Sequence, residues 1–286
     1  MTITRDATAL ASLARCEAEF EYRYNLHYTS ARDEDAPHFG AILHVARNEF
    51  FLHEDAGAAI QAMRDAWGTY EPQEGEYRTL ELAVAMFGAY AVNVGPPSAR
   101  GFKVLAGEHA ITSPTEAYGG VLDALIEVNG ELCIDDLKTT GLGPSEAFAR
   151  QYEMSAQVSG YIDLAEEELQ RSVSSAWVET WVIPRAKAPD WSKCFKRYGP
   201  IYYSPELRAM MREIRHRQLE RADAIARGLQ SPKMNPSACF RYNRLCPFFD
   251  ACKAAEPGLR AGIIQSRLAT GQWVEKEWDF TKRENA

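Results

Sequence analysis

The chain has 286 residues, 46% of them hydrophobic and 25% charged, the composition of a folded globular protein and not of a disordered, collagenous or coiled-coil one. At this length a core forms without disulfide or metal, and no apolar run nears the roughly 20 residues of a membrane span. Its 32 basic and 40 acidic residues give a net charge of −8, which as an average argues against a nucleic-acid partner, because such partners are held largely by neutralising phosphates.

In chain order, residues 8–28 read as a helix, with Leu10, Leu13, Phe20 and Tyr24 near helical spacing. This N-terminal stretch has an early acidic residue and no unbroken apolar core, so it does not read as a secretory signal and a cytoplasmic protein is expected. A polar stretch with Pro37 and Gly40 breaks the pattern. Further helices are predicted at 40–54, 58–67 and 78–94. From residue 102 short apolar segments bounded by glycine and polar turns read as strands. Residues 145–168 return to helix, 173–183 form a strand, and 204–228 form a helix with Ser204 as N-cap, Pro205 in the first turn and Gly228 at the end. The pattern is that of an α/β (α+β) chain with a small mixed sheet in its middle third, flanked by helices.

The most informative segment is residues 119–140, GGVLDALIEV-NG-ELCIDDLKTT. Asn129-Gly130 between two apolar runs predicts a hairpin closed by a two-residue type I′ turn. That turn pairs Val128 with Glu131 and sets Asp123 opposite Asp136. Alternation then puts Asp123, Asp136 and Lys138 on one face, and Leu122, Ala124, Ile126, Val128, Cys133 and Leu137 on the other. Asp135 points away from the first face and reads as structural. Two opposed carboxylates repel. Either they are solvated positions at a sheet end, or a divalent cation lies between them, with the lysine beside it orienting a water or meeting charge at a phosphate. The interruption of an apolar strand by Asp123 favours the cation.

An Asp on one strand followed by Asp-x-Lys on the next resembles the PD-(D/E)XK nuclease pattern, and GVLDALIEVNGELCIDDLKTT is similar to its RecB-like branch. Downstream, Gln157 and Tyr161 in QYEMSAQVSGYIDLA match the branch's Gln-xxx-Tyr motif, which supports the active site and touches DNA. Upstream, Gly40 and His44 in GAILH resemble its Gly-xxx-His motif. The resemblance implies a restriction-endonuclease-like core in which His44, Asp123, Asp136 and the Leu137 carbonyl hold Mg²⁺ or Mn²⁺. Glu108 resembles a further acidic position, with a salt-bridged surface role equally open. Lys138, Gln157 and Tyr161 complete the catalytic set. The implied activity is metal-dependent hydrolysis of DNA phosphodiester bonds, most simply as an exonuclease on ends or single strands. The rival reading is a non-catalytic DNA-end-binding or assembly subunit that keeps the fold. No G-x-x-x-x-G-K-[ST] loop occurs, so any motor would be a partner such as a helicase, alongside a recombinase or other DNA-processing protein.

Six cysteines in an expected cytoplasmic protein do not read as a disulfide set. Cys16 ahead of the core and Cys239, Cys246 and Cys252 after it resemble the one-plus-three arrangement that binds a [4Fe–4S] cluster in CRISPR-associated RecB-like exonucleases and AddB-type nucleases. The six-residue gap before Cys246 departs from the two residues of the best-known members. Zinc, or simple packing in an aromatic knot, stays open. The expected organisation is one nuclease domain over residues 1–258, helical to 100, a catalytic sheet core over 101–185, and a basic, cysteine-rich part over 186–258. Residues 259–286 read as a tail. The charge is segregated: residues 185–244 carry fourteen basic residues against five acidic ones, a local +9 that leaves −17 elsewhere. Arg208, Arg212 and Arg215 recur along one helix face and are the expected DNA track, with Tyr202, Tyr203 and Tyr242 as stacking platforms.

Overall fold

A computed structural model describes residues 3–31, 35–141, 146–241, 244–254 and 256–281. Tyr242 lies outside the described residues. Helix α1 (Ala7–Arg15) is capped by Asp6, whose carboxylate accepts from the Ala9 amide at 2.8 Å. The predicted helix over 8–28 breaks at Cys16, which is extended (φ −161°) before α2 (Glu17–Phe20) runs into a π-helical turn, Glu21–Asn25. Strand β1 (Tyr28–Ser30) follows. Helix α3 (Asp35–His53) starts five residues before the predicted 40, because Pro37 falls in its first turn, where a missing amide hydrogen costs nothing. Helices α4 (Ala56–Trp67) and α5 (Leu80–Asn93) begin on the side-chain caps Asp55 and Thr79.

The middle of the chain forms β2 (Lys103–Thr112), β3 (Gly119–Val128) and β4 (Glu131–Thr140). Then come α6 (Glu146–Arg150), α7 (Ala156–Leu169), β5 (Val173–Val182), β6 (Phe195–Ile201) and α8 (Pro205–Ala226). The expected Ser204 cap is present, accepting from the Leu207 amide at 3.2 Å, and Gly228 is left-handed (φ 67°). The chain closes with β7 (Phe240–Arg241), β8 (Arg244–Leu245), α9 (Phe249–Lys253), α10 (Pro257–Ala269) and β9 (Trp273–Glu275). None of the described helices is long and apolar enough to cross a membrane.

The strands β2-β3-β4-β5-β6 form one mixed sheet in chain order. Neighbours are antiparallel except β4 and β5, which run parallel and are joined by the α6–α7 crossover. One face packs on α1, α7 and α8 through Leu10, Leu13, Ile134, Ile162 and Val178; the other packs on α3, α4 and α5 through Leu43, Phe50, Phe87, Ile126 and Trp181. The architecture is therefore three layers, helix–sheet–helix. Strand β6 is absent from the sequence expectations because FKRYGPI alternates weakly and contains Gly-Pro.

Asp135 is structural, as expected. It is fully buried on the α3 face, paired with Arg47 and with Arg197, whose Nε donates to it at 3.0 Å. Glu179 extends the network to Arg47 at 3.2 Å and Arg100 at 3.3 Å. Burial, and then the neighbouring Arg100, push the Arg197 guanidinium down to about 10. Such charges persist in a core only when each is paired. The network pins α3, β4, β5 and β6 together behind the site.

Residues 259–281, expected as part of a tail, are packed onto the body of the protein. Strand β9 pairs antiparallel with β1, Trp273 is buried against Tyr22 and Phe248, and Trp278 meets Tyr24 edge-on at 5.0 Å. One buried indole and a second, partly buried one fasten this segment over the N-terminal helices.

Candidate metal centre

The hairpin turn has both central residues left-handed, Asn129 at φ 53° and Gly130 at φ 84°, the type I′ geometry. The register is the expected one from Val128–Glu131 to Ala124–Asp135. There the ladder ends, one pair short of Asp123 and Asp136. The Asp123 carboxylate turns in and accepts the Leu137 amide at 2.6 Å in place of a backbone partner. The alternation of side chains breaks at the same point, so Leu122 packs on the α1–α7 side and not with Ala124, Ile126 and Leu137 as expected.

A matching irregularity sits on β2. Its register to β3 shifts between Val104 and Ala106, and Glu108, opposite the break at Asp123, has a left-handed backbone (φ 45°). A non-glycine residue held there is strained, and irregularities of this kind re-aim side chains beside functional sites. The sequence offers no signal for this. Helix α3 delivers the third group. At Gly40 a Cβ would come within 3.2 Å of Thr139 Oγ1, so glycine lets the helix approach β4 closely, and His44 lies one turn further along the same face.

The result is a corner where His44, Glu108 and Asp123 each offer a ligand atom and all of these lie within 4.8 Å of one another. His44 Nδ1 is 3.3 Å from Asp123 Oδ2 and 3.8 Å from Glu108 Oε1. Imidazole with carboxylates is a donor set for a divalent ion of the Mg²⁺ or Mn²⁺ class. Of the expected residues, Asp136 stands beside this trio and not within it. It is 1% exposed, and its Oδ2 is 2.8 Å from Lys138 Nζ. The same ammonium donates to Gln157 Oε1 at 2.9 Å, and Gln157 Nε2 donates to the Tyr161 hydroxyl at 3.1 Å. Asp136, Lys138, Gln157 and Tyr161 thus form one polar chain from β4 to α7. Burial, then Asp136, raise the Tyr161 phenol well above its ordinary range and keep it protonated. Its ring lies against Gly120, where a Cβ would meet Cε1 at 2.5 Å, so only glycine admits the tyrosine there.

The arginine track is corrected. Arg208, Arg212 and Arg215 face α7 and converge on the buried Asp163 at 2.6, 3.0 and 3.2 Å. Arg208 also meets Glu166, and Arg215 meets Glu116 at 3.0 Å. Arg215 is buried, and of the three only Arg212 stays about half exposed. The triplet is an interhelical clasp, its charge already compensated. Tyr203 is also buried, its hydroxyl bonded to the Tyr152 carbonyl, whereas Tyr202 is 65% exposed.

The segment just ahead of Cys239 returns to Cys16, although 222 residues lie between the two cysteines. The Asn235 amide donates to Cys16 Sγ at 3.4 Å, and the Cys246 amide donates to the Cys239 carbonyl at 2.8 Å. Burial, then Cys246, Cys16 and Cys239 in turn, push the Cys252 thiol up to about 11. Among the described residues no three of these four cysteines converge within 4.8 Å. Cys133 and Cys194 are also buried, Cys133 in the core on the α3 face of the sheet.

A sequence model of the PD-(D/E)XK nuclease superfamily matches residues 7–253. No curated protein matches the sequence. Among solved structures, one from Eubacterium rectale described as a "Putative exonuclease" superposes with a TM-score of 0.54. The alignment covers 86% of this chain and 90% of that one at 11% identity, a likeness of fold. With the sequence match spanning most of its length, the chain belongs to the PD-(D/E)XK nuclease superfamily, and phosphodiester hydrolysis is the chemistry of that superfamily.

Proposed function

We propose that this chain is a Mg²⁺- or Mn²⁺-dependent deoxyribonuclease, acting as an exonuclease on DNA ends or single strands. The observation that carries the reading is the corner of His44, Glu108 and Asp123 set against the Asp136–Lys138–Gln157 chain. His44, Asp123, Glu108, Asp136 and the Leu137 carbonyl would hold the ion, the imidazole favouring Mn²⁺. When bound, the ion polarises a phosphoryl oxygen and lowers the pKa of an attacking water. Lys138, fixed between Asp136 and Gln157, presents its ammonium to the charge that develops on the phosphate. Tyr161 supports Gln157 and, as a protonated phenol, can donate to the substrate backbone. Every position that carries this chemistry holds a competent residue, so no observation favours the non-catalytic end-binding reading.

The four cysteines fit a [4Fe–4S] cluster better than zinc. What supports the cluster is their order along the chain, one cysteine ahead of the nuclease core and three after it. We place the chain in the cytoplasm, a reducing compartment in which its six cysteines would stay available to a cluster. The chain would work beside a helicase, recombinase or other DNA-processing protein.

The test is a digest of end-labelled single- and double-stranded oligonucleotides with Mn²⁺, Mg²⁺ or EDTA. A ladder of products with metal and none with EDTA is expected; intact substrate under every metal condition refutes the nuclease reading. Iron content and visible absorbance of anaerobically purified protein test the cluster separately, and a colourless, iron-free protein removes it.

A further inference from the structure

The sheet carries the catalytic face beyond the metal corner. Cross-strand partners share a face. Lys138 pairs with Thr180 on β5, and Thr180 with Lys196 on β6; in the adjacent row Asp136 pairs with Val178 and Val178 with Tyr198. Lys196 and Tyr198 thus repeat, two strands away and about 10 Å off, the positions of Lys138 and Asp136, with the carboxylate replaced by an aromatic ring. Lys196 is exposed and Tyr198 partly so. A groove of about 800 Å³ opens here between α6, the 3-10 turn Gln151–Met154 and β6, and its lining includes Arg150, Lys196, Tyr198 and Tyr202.

Two features make this groove a receptor for a strand and not a mere rim. Tyr202 is 65% exposed although Ile201 and Tyr203 on either side of it are buried, so its backbone is anchored and its ring stands outward. A fixed, exposed ring is a low-entropy stacking platform for an unpaired base. The charge beside it is also available. Among the described residues Arg150 pairs with Glu153 at 3.6 Å, both side chains more than half exposed, a pairing too weak and solvated to hold the guanidinium from a phosphate. This contrasts with Arg208 and Arg215, which are held by buried carboxylates.

We infer that the β6 groove is a subsite for single-stranded DNA, with Lys196 and Arg150 on successive phosphates and Tyr202 stacked on a base next to the bond being cut. The inference rests on the nuclease reading and names where the substrate strand lies. It is tested by fluorescence anisotropy with a labelled oligo-dT strand, in Ca²⁺, on an Asp136→Asn background so that nothing is cut. Tyr202→Ala should weaken binding at least about fivefold. Lys196→Gln should flatten the slope of log affinity against log salt by about 0.7, the share of one single-strand phosphate. Both side chains are exposed, so the melting temperature should not move. A strand carrying 5-iododeoxyuridine should photocrosslink to Tyr202. Unchanged affinity and slope in both variants overturn the subsite and leave the nuclease reading standing. Failure of both the wild type and the Asp136→Asn protein to bind any DNA in Ca²⁺ overturns both.

Discussion

Asp123 separates the structural from the chemical role of the site, because its carboxylate does two things at once. It accepts the Leu137 amide at 2.6 Å, and it lies 3.3 Å from His44 Nδ1 in the trio with Glu108. Asp123→Ala leaves a buried amide without its acceptor, a loss of about 1–3 kcal/mol. Asp123→Asn keeps an oxygen at the amide but loses the charge. The weaker hydrogen bond costs about 1 kcal/mol, offset by relief of repulsion from Glu108 and Asp136. The metal-free Asn variant should therefore melt within about 2 °C of the wild type, and the Ala variant about 2–6 °C lower, at roughly 2 °C per kcal/mol for a chain of this size. Metal reverses the comparison. Mn²⁺ at about 100 times its dissociation constant stabilises the wild type by about 2.7 kcal/mol, or about 5 °C, and the Asn variant should lose most of that shift together with DNA degradation. Scanning fluorimetry in EDTA and in Mn²⁺, run beside the oligonucleotide digest, measures all of this. An Asn variant with an intact Mn²⁺ shift and full activity would refute the metal assignment, and an Ala variant as stable as the Asn one would refute the role at Leu137.

Lys138→Ala should lower turnover by about 10²–10⁴-fold while far-UV circular dichroism stays unchanged, since the ammonium serves Asp136 and Gln157 and is not core; near-normal turnover would remove it from the chemistry. Asp163→Ala removes the carboxylate that three arginines share, while Arg208 keeps Glu166 and Arg215 keeps Glu116; it should cost about 1.5–3 kcal/mol, read as an earlier urea midpoint, and an unmoved midpoint would mean the clasp is solvated. Trp273→Ala empties the small core it shares with Tyr22 and Phe248 and should cost about 3 kcal/mol in a urea titration, whereas a true peripheral tail would tolerate it.

What the amino-acid order determined by itself was local or ordinal. The Asn129-Gly130 turn set the hairpin register because a type I′ turn admits one pairing. Ser204 and Pro205 opened α8 because a cap acts within one turn. The sequence of histidine, acids, lysine and Gln-xxx-Tyr pointed to the superfamily. Tertiary structure decided what depends on distant partners. Counting arginines along α8 gave a charge but not its use, since Asp163 is 45–52 residues away and Glu116 is 99 from Arg215. Alternation placed Leu122 on the wrong face because the strand irregularity at Glu108 and Asp123 arises between strands. The helix break at Cys16 and the docking of Trp273 likewise follow from contacts with chain more than 200 residues on. Periodicity and caps are written in neighbouring residues, whereas compensation of charge and convergence of ligands exist only once distant segments meet.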